Sequence, residues 1–342
     1  MNDNIPHISI IIPTRGRKVS LKEGLLSLTH LDYPGNGYEV IVIDDGSTDG
    51  TVEMLVKMQK SLPYPLQYGS LKEKNGISAA RNLGMQIAKG QIFVFTDDDC
   101  LFEKRWLTSL LGPFSSNKVG AVGGLDKAPE EATFFSKCVG YLFTSFVGTG
   151  GLRAGNRFRV GRYYPKGCNM AVLKVAIDKV GGFDEYLAPG EEIDLGYRIE
   201  RAGYQIKFVP GAFVWHKRKT TLKAFLQKIF KLGYTRVVLA RKHRGLLQIG
   251  HMIPFIGVLT VFSLLILSLI FPEALKILIF MLSGYLLILL FSGVQALFRI
   301  RDIRALFIIP LLIILHHSTH GTGFLIAGIK HLLGYKNICL PG

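Results

Sequence analysis

Apolar residues fall into two regimes along the chain. Up to about Lys219 they come in short runs separated by helical patterns, and beyond about Leu246 they dominate. Ile8–Ile12, Glu39–Ile43 and Gln91–Phe95 are β-branched or aromatic runs of the kind that buried parallel strands carry. Between them lie helical patterns near Val19–Thr29, Thr51–Ser61 and Ser78–Lys89. This alternation predicts a doubly wound α/β sheet, with ligands gathered at the carboxyl ends of its strands. Pro13-Thr14-Arg15, Asp44-Asp45 and Asp97–Asp99 all fall at such ends.

The second regime divides into segments. Leu246 to Phe271 and Ala274 to Phe298 are each long enough to cross a hydrocarbon core, which needs about 20 residues. Only Pro272-Glu273 separates them, so they read as a helical hairpin. A third stretch, Ala305 to Ile329, is interrupted by His316-His317-Ser318-Thr319-His320-Gly321 and either crosses or re-enters. Its basic flank at Lys330 and Lys336 argues weakly against a full crossing. Ahead of the hairpin, Leu222, Phe225, Leu226, Ile229 and Phe230 fall on one helical face among many basic residues, including Arg218 and Lys219. No acid interrupts His216–Gly245, so this segment predicts a basic amphipathic helix at a membrane surface. The expected organisation is therefore an α/β domain over 1–215, an interfacial helix over 216–245, and a membrane domain over 246–342 with two to three transmembrane helices. Basic blocks at Arg241–Arg244 and Arg299–Arg304 share a side if two crossings separate them, which places the N-terminal domain in the cytoplasm.

Composition sharpens this picture at three points. The mean hydropathy of +0.30 is high for a wholly soluble protein. The net charge of +16 is concentrated around the amphipathic helix, and no base-reading motif accompanies it, so membrane lipids rather than nucleic acid are the expected partner. Cys100, Cys138, Cys168 and Cys339 lie far apart without framework spacing, which fits a reduced compartment. Met1–His7 shows no basic segment leading into an apolar one, so no signal peptide is expected.

The strand ends carry the candidate chemistry. Asp97-Asp98-Asp99 closes an apolar run, and three adjacent carboxylates repel one another unless a cation holds them. Hard oxygen ligands suit Mg²⁺ or Mn²⁺. A second acidic strand end, Asp44-Asp45, lies upstream, and Glu191-Glu192-Ile193-Asp194 forms a third acidic group. His316 and His320, four apart, read as polar residues lining a bundle or lying near the interface rather than as metal ligands.

These motifs resemble, in order, those of family 2 glycosyltransferases with the GT-A fold. The resemblance runs through Ile10–Thr14, Val42–Asp49, Asn75-Gly76 to Asn82, Asp97–Asp99, Gly167–Met170, Gly181–Glu185 and Gly190–Leu195 to Tyr204, covering about residues 6–216. It implies a nucleoside-diphosphate sugar donor, a divalent metal and an inverting transfer. Asp45, with Asp44 as the other candidate, would bind the base. Pro13, Thr14 and Arg15 would line the nucleoside pocket, and Arg81 would approach the base or diphosphate. Asp97 and Asp99 match the outer positions of an Asp-x-Asp metal motif, with Asp98 between them joining the donor-binding set. His216 is a further metal-facing candidate. The family usually places Glu-Asp where this chain has Glu191-Glu192, so Glu192 takes the position of the catalytic base. Its extra methylene leaves Glu191 and Asp194 as substitutes.

The expected activity is an inverting glycosyltransferase at the cytoplasmic membrane face. It moves a sugar, from UDP for preference, to a hydroxyl of a lipid-linked or polysaccharide acceptor. Transfer to a polyprenyl phosphate and a non-catalytic nucleotide-sugar-binding role are the rivals. A phosphate acceptor is already ionised and needs no base, so the acidic group at 191–194 favours a hydroxyl. Gln227-Lys228-Ile229-Phe230-Lys231 lacks the Gln-x-x-Arg-Trp of processive members, which favours single addition.

Overall fold

The computed structural model describes residues 8–71, 75–150, 162–187, 189–217, 221–247 and 249–334. Met1–His7, Arg218, Lys219, Lys336 and Cys339, which entered the sequence reading, lie outside these residues. The chain forms two compact units, one of residues 1–130 and 163–218, the other of 131–162 and 219–342.

The first unit is built on an eight-stranded mixed sheet. Its strands are β1 (Ile8–Thr14), β2 (Tyr38–Asp44), β3 (Leu66–Ser70), β4 (Ile92–Thr96), β5 (Cys100–Phe102), β6 (Val119–Lys127), β7 (Asn169–Leu173) and β8 (Gln205–His216), in the order β3-β2-β1-β4-β7-β6-β8-β5. The three strands expected from sequence are the parallel centre, with β1 between β2 and β4. Alternate residues serve opposite layers. Ile8, Ile10, Ile12, Val40, Val42 and Val94 pack on one face, and Ile11, Ile41, Ile43, Phe93 and Phe95 on the other. Both sets are buried, which explains why these strands read as continuous apolar runs. Helices α1 (Lys18–Leu28), α2 (Thr51–Met58), α3 (Ile77–Ile87) and α4 (Trp106–Leu111) fall where the periodicity placed the first three.

The other half of the sheet departs from a purely parallel order. Strand β7 runs antiparallel to both β4 and β6, and β5 runs antiparallel to β8. β6 contains Gly120, Gly123 and Gly124, and its pairing with β8 shifts register at Gly124/Leu125, close to Pro210-Gly211. Glycine and proline at a bulge erase the period-two signal that would have announced these strands.

The second unit is helical. It comprises α5 (Phe134–Thr144) and α6 (Phe146–Thr149) and the later helices α9 (Leu222–Lys242), α10 (Ile249–Leu267), α11 (Pro272–Ile300) and α12 (Ala305–Leu332). Helices α7 (Lys174–Val180) and α8 (Glu191–Arg201) belong to the first unit. The sequence division placed 131–162 in the catalytic domain; the structure groups it with the helices. Cys138, Val139, Leu142 and Phe143 of α5 bury with Phe225, Leu289, Ala296 and Ile309, and the Tyr141 hydroxyl donates to the Ser292 carbonyl at 3.1 Å. Part of the apolar face expected at a membrane surface is likewise occupied by protein. Phe225 and Ile229 of α9 are buried, and Phe225 lies 6.4 and 6.2 Å from the Phe135 and Phe143 rings. A Cβ on Gly233 would sit 2.1 Å from the His320 carbonyl oxygen, and one on Gly323 2.3 Å from that of Phe230, so α9 and α12 cross at near backbone contact. Among the described residues, three helices are long and apolar enough to cross a membrane: Gly250–Leu267, Pro272–Ile300 and Ala305–Leu332. The third is one continuous helix despite its histidines. His317 Nδ1 meets the Tyr285 hydroxyl at 3.0 Å and Nε2 the Val147 carbonyl at 2.9 Å.

Candidate active site

The carboxyl ends of β1, β2 and β4 lie side by side because these strands are parallel and in register, which brings Thr14, Asp44 and Asp97–Asp99 to one edge. The chain turns at Asp97–Cys100, where the Cys100 N–H donates to the Asp97 carbonyl, and enters β5. There β5 pairs with β8 so that Cys100 faces His216. This long-range pairing carries His216 to the acidic turn. Its Nε2 lies 2.8 Å from Asp99 Oδ1 and 3.9 Å from Asp97 Oδ2.

The three aspartates have different surroundings. Asp98 is buried, accepts the Thr14 hydroxyl at 2.8 Å and pairs with Arg17 at 3.0 Å. Burial pushes its carboxyl above the usual range, against the opposing pull of Arg17 and Thr14. Asp99 also pairs with Arg17, at 2.8 Å. Asp97 pairs with Arg81 at 3.3 Å. The middle carboxylate is therefore turned into the protein, while Asp97 and Asp99 converge with His216. Ligating atoms of Asp97, Cys168 and His216, and of Asp99, Cys100 and His216, lie within 4.8 Å of one another. Burial, with the nearby Cys168 and aspartate charges, holds the Cys100 thiol well above its ordinary value. Asp97, Asp99 and His216 supply hard oxygen and imidazole donors, a set that fits Mn²⁺ or Mg²⁺.

Asp44 and Asp45 shape the neighbouring loops. Asp44 accepts the Ser47 N–H at 3.1 Å and its hydroxyl. Asp45 spans the approach to α3, accepting the backbone N–H groups of Asn75 at 2.8 Å and Gly76 at 3.1 Å. A carboxylate offers about four acceptor positions, so these bonds leave capacity for a ligand. Pro13 and Thr14 are buried, whereas Arg15 is exposed.

Arg81 links the acidic turn to the third acidic group. It is fully buried, donates to Glu191 Oε1 at 3.0 Å, and lies 5.3 Å from the centroid of the Phe183 ring. A Cβ on Gly167 would sit 2.1 Å from its Nη2, so only glycine leaves room for the guanidinium there. Glu191, Glu192 and Asp194 open α8 behind Gly190, whose φ of 121° lies in the region glycine tolerates. Their fates diverge. Asp194 is buried and paired with Arg198 at 2.8 Å, and Arg198 also donates to the carbonyls of Val180, Gly181 and Gly182. Through Arg198 that carboxylate anchors the α7–α8 connection. Glu191 is pushed up to about 7, first by burial and then by the charge of Glu192, against the pull of Arg81. Glu192 is half-buried, and its Oε1 accepts the Gly167 N–H at 3.1 Å. Among the described residues, Glu192 Oε2 has no hydrogen-bond partner.

Residues 9–178 match the family model described as Glycosyl transferase family 2. The chain belongs to glycosyltransferase family 2. Glycosyltransferase AglE of Haloferax volcanii is 29% identical over 236 residues, which span 68% of this chain and 74% of that protein. The probable glycosyltransferase YdaM of Bacillus subtilis is 26% identical over 258 residues, 68% of this chain but only 60% of YdaM. Among solved structures, mannosyltransferase PcManGT from Pyrobaculum calidifontis, in complex with GDP-Man and Mn2+, superposes with a TM-score of 0.59. That match covers 98% of this chain and 89% of the other at 19% identity, and it shows a common fold.

Two roles in this family 2 glycosyltransferase escaped the sequence reading. Arg17 reaches the acidic turn, and Gly167, read only as part of a motif, shapes the space around Arg81. Neither choice between neighbouring arginines nor a contact 86 positions apart leaves a mark in one sequence. The Glu191 shift also gives a signed pH expectation. The folded state keeps this proton up to about pH 7, whereas an unfolded carboxyl loses it near its usual 4.5. Metal-free stability should therefore fall as pH rises across that window and level off above it. Melting of wild type and Glu191→Gln at pH 5 and pH 8 should show this decline only in the wild type. Equal pH dependence in both would contradict the assignment.

Proposed function

We propose that this glycosyltransferase is an inverting enzyme that moves a sugar from a nucleoside diphosphate, UDP by preference, to a hydroxyl of a lipid-linked or polysaccharide acceptor. The observation that carries this reading is Glu192. Its Oε1 accepts the Gly167 N–H and, among the described residues, Oε2 has no hydrogen-bond partner at the start of α8, while Arg81 ties the adjacent Glu191 to Asp97. An acceptor hydroxyl is a weak nucleophile, and a carboxylate within hydrogen-bonding reach removes its proton as the new bond forms. Asp97, Asp99 and His216 would hold the divalent cation. When bound, it neutralises negative charge on the departing diphosphate. Asp45 and Asp44, with Pro13, Thr14 and Arg15, would hold the nucleoside, and Asp98 would set the acidic turn through Thr14. Arg81, already committed to Asp97 and Glu191, would keep the metal carboxylate and the base region in fixed relation, as positioning requires.

Attachment follows from the three apolar helices. Basic blocks at Arg241–Arg244 and Arg299–Arg304 would bracket two crossings and support a catalytic unit on the cytoplasmic side. With α12 as a third crossing, its C-terminal end lies on the opposite face.

Purified full-length protein, given radiolabelled UDP- or GDP-sugars, Mn²⁺ or Mg²⁺ and a membrane lipid extract, tests this. Label should pass from a UDP-sugar into material whose new bond survives mild acid. An acid-labile sugar phosphate would make a phosphate the acceptor, transfer from GDP alone would correct the base, and no transfer from any donor would overturn the reading.

A further inference from the structure

Arg17 stands where the two ends of a nucleotide-sugar site meet. Its backbone belongs to the nucleoside side. The Gly16 N–H donates to the Ser47 hydroxyl at 2.7 Å and the Lys18 N–H to Asp49 at 2.9 Å, which ties this turn to the loop that Asp44 organises. Its guanidinium belongs to the acidic turn, with Nη1 between Asp98 Oδ1 at 3.0 Å and Asp99 Oδ2 at 2.8 Å. A diphosphate running from nucleoside to metal must pass this side chain.

We propose that Arg17 exchanges partners. It holds Asp98 and Asp99 in the arrangement described here, and turns to the donor's diphosphate once a divalent cation engages Asp99. The inference rests on the reading of Asp97, Asp99 and His216 as the cation site. Three features make the exchange inexpensive. The Arg17 side chain is 52% exposed, so it moves through solvent rather than through packed atoms. Asp98 keeps the Thr14 hydroxyl when the arginine leaves. Asp99 keeps His216. Arg81, by contrast, is enclosed by Gly167 and Phe183 and cannot leave. A guanidinium fork also matches phosphate oxygens at least as well as carboxylates. The consequence is a coupling: cation binding frees the arginine that the nucleotide needs, and by reciprocity the nucleotide favours the cation.

Full-length wild type, Arg17→Gln and Arg17→Lys in detergent provide the test. Mn²⁺ binding is read by electron paramagnetic resonance, and UDP and GDP binding are read with and without Mn²⁺. Removing a charge-assisted bond to Asp99 should tighten Mn²⁺ binding without nucleotide by about tenfold. The factor by which Mn²⁺ strengthens nucleotide binding should shrink by a similar amount. Arg17→Lys, which keeps the charge but not the fork, should bind Mn²⁺ like the wild type and recover part of the coupling. Unchanged or weaker Mn²⁺ binding in Arg17→Gln, with coupling intact, would reduce Arg17 to a brace for the carboxylates and overturn the exchange. If the wild type binds no Mn²⁺ even with nucleotide, the cation site itself falls and the exchange with it.

Discussion

Glu192→Gln is expected to lower turnover by about 10² to 10⁴-fold, the usual worth of general-base catalysis, with little change in nucleotide affinity. Glutamine keeps the length of the side chain, and its amide oxygen still accepts the Gly167 N–H that now holds Oε1 at 3.1 Å. Only proton acceptance is lost. The neighbouring acids give built-in controls. Asp194→Asn should act on stability, since it breaks the buried pair with Arg198 that secures three carbonyls of the α7–α8 connection. Glu191→Gln should disturb the Arg81 contact and the pH dependence of stability before it touches proton transfer. Steady-state kcat and donor KM for the three variants separate these effects. A near-wild-type rate in Glu192→Gln beside a dead Glu191→Gln or Asp194→Asn would move the base by one or two positions. Full activity in all three would favour an acceptor that is already ionised.

Asp99→Ala is expected to abolish metal-dependent transfer, a loss of at least about 10²-fold, because a Lewis acid is worth several kcal/mol of transition-state stabilisation. The fold should survive. Asp99 lies on a turn at the sheet edge, and Arg17 retains Asp98 when it goes. Melting temperature and chelator sensitivity, measured beside turnover, check both halves. Activity in Asp99→Ala that responds to Mn²⁺ as the wild type does would remove this carboxylate from the cation site.

How much of this was legible in the sequence depends on whether a signal is local. β1, β2 and β4 are buried on both faces, so their residues must be apolar at every position, and their loops carry the polar residues of the site. They were readable for that reason. β6 and β8 are bent by glycines and Pro210 and shift register against each other, so their periodicity is lost. The α5–α6 insertion was assigned to the sheet domain because its aromatic residues look alike whether they meet a sheet or a helix bundle. The amphipathic face of α9 was read as a membrane surface, and period alone does not say whether lipid or α12 covers it. At the site, acids at strand ends were visible, while the difference between Asp97, Asp98 and Asp99 was not. It is set by Thr14, Arg17, Arg81 and His216, between 16 and 119 positions away along the chain. Asp194 was indistinguishable from Glu192 until Arg198, one helical turn later, was seen to hold it.

The central claim is a single displacement in which Glu192 delivers an acceptor hydroxyl to the face of the sugar opposite the departing diphosphate. The anomeric configuration of the product, read by NMR after transfer from an α-linked nucleotide sugar, tests it most directly. The account predicts a β-linked product; an α-linked product would contradict it.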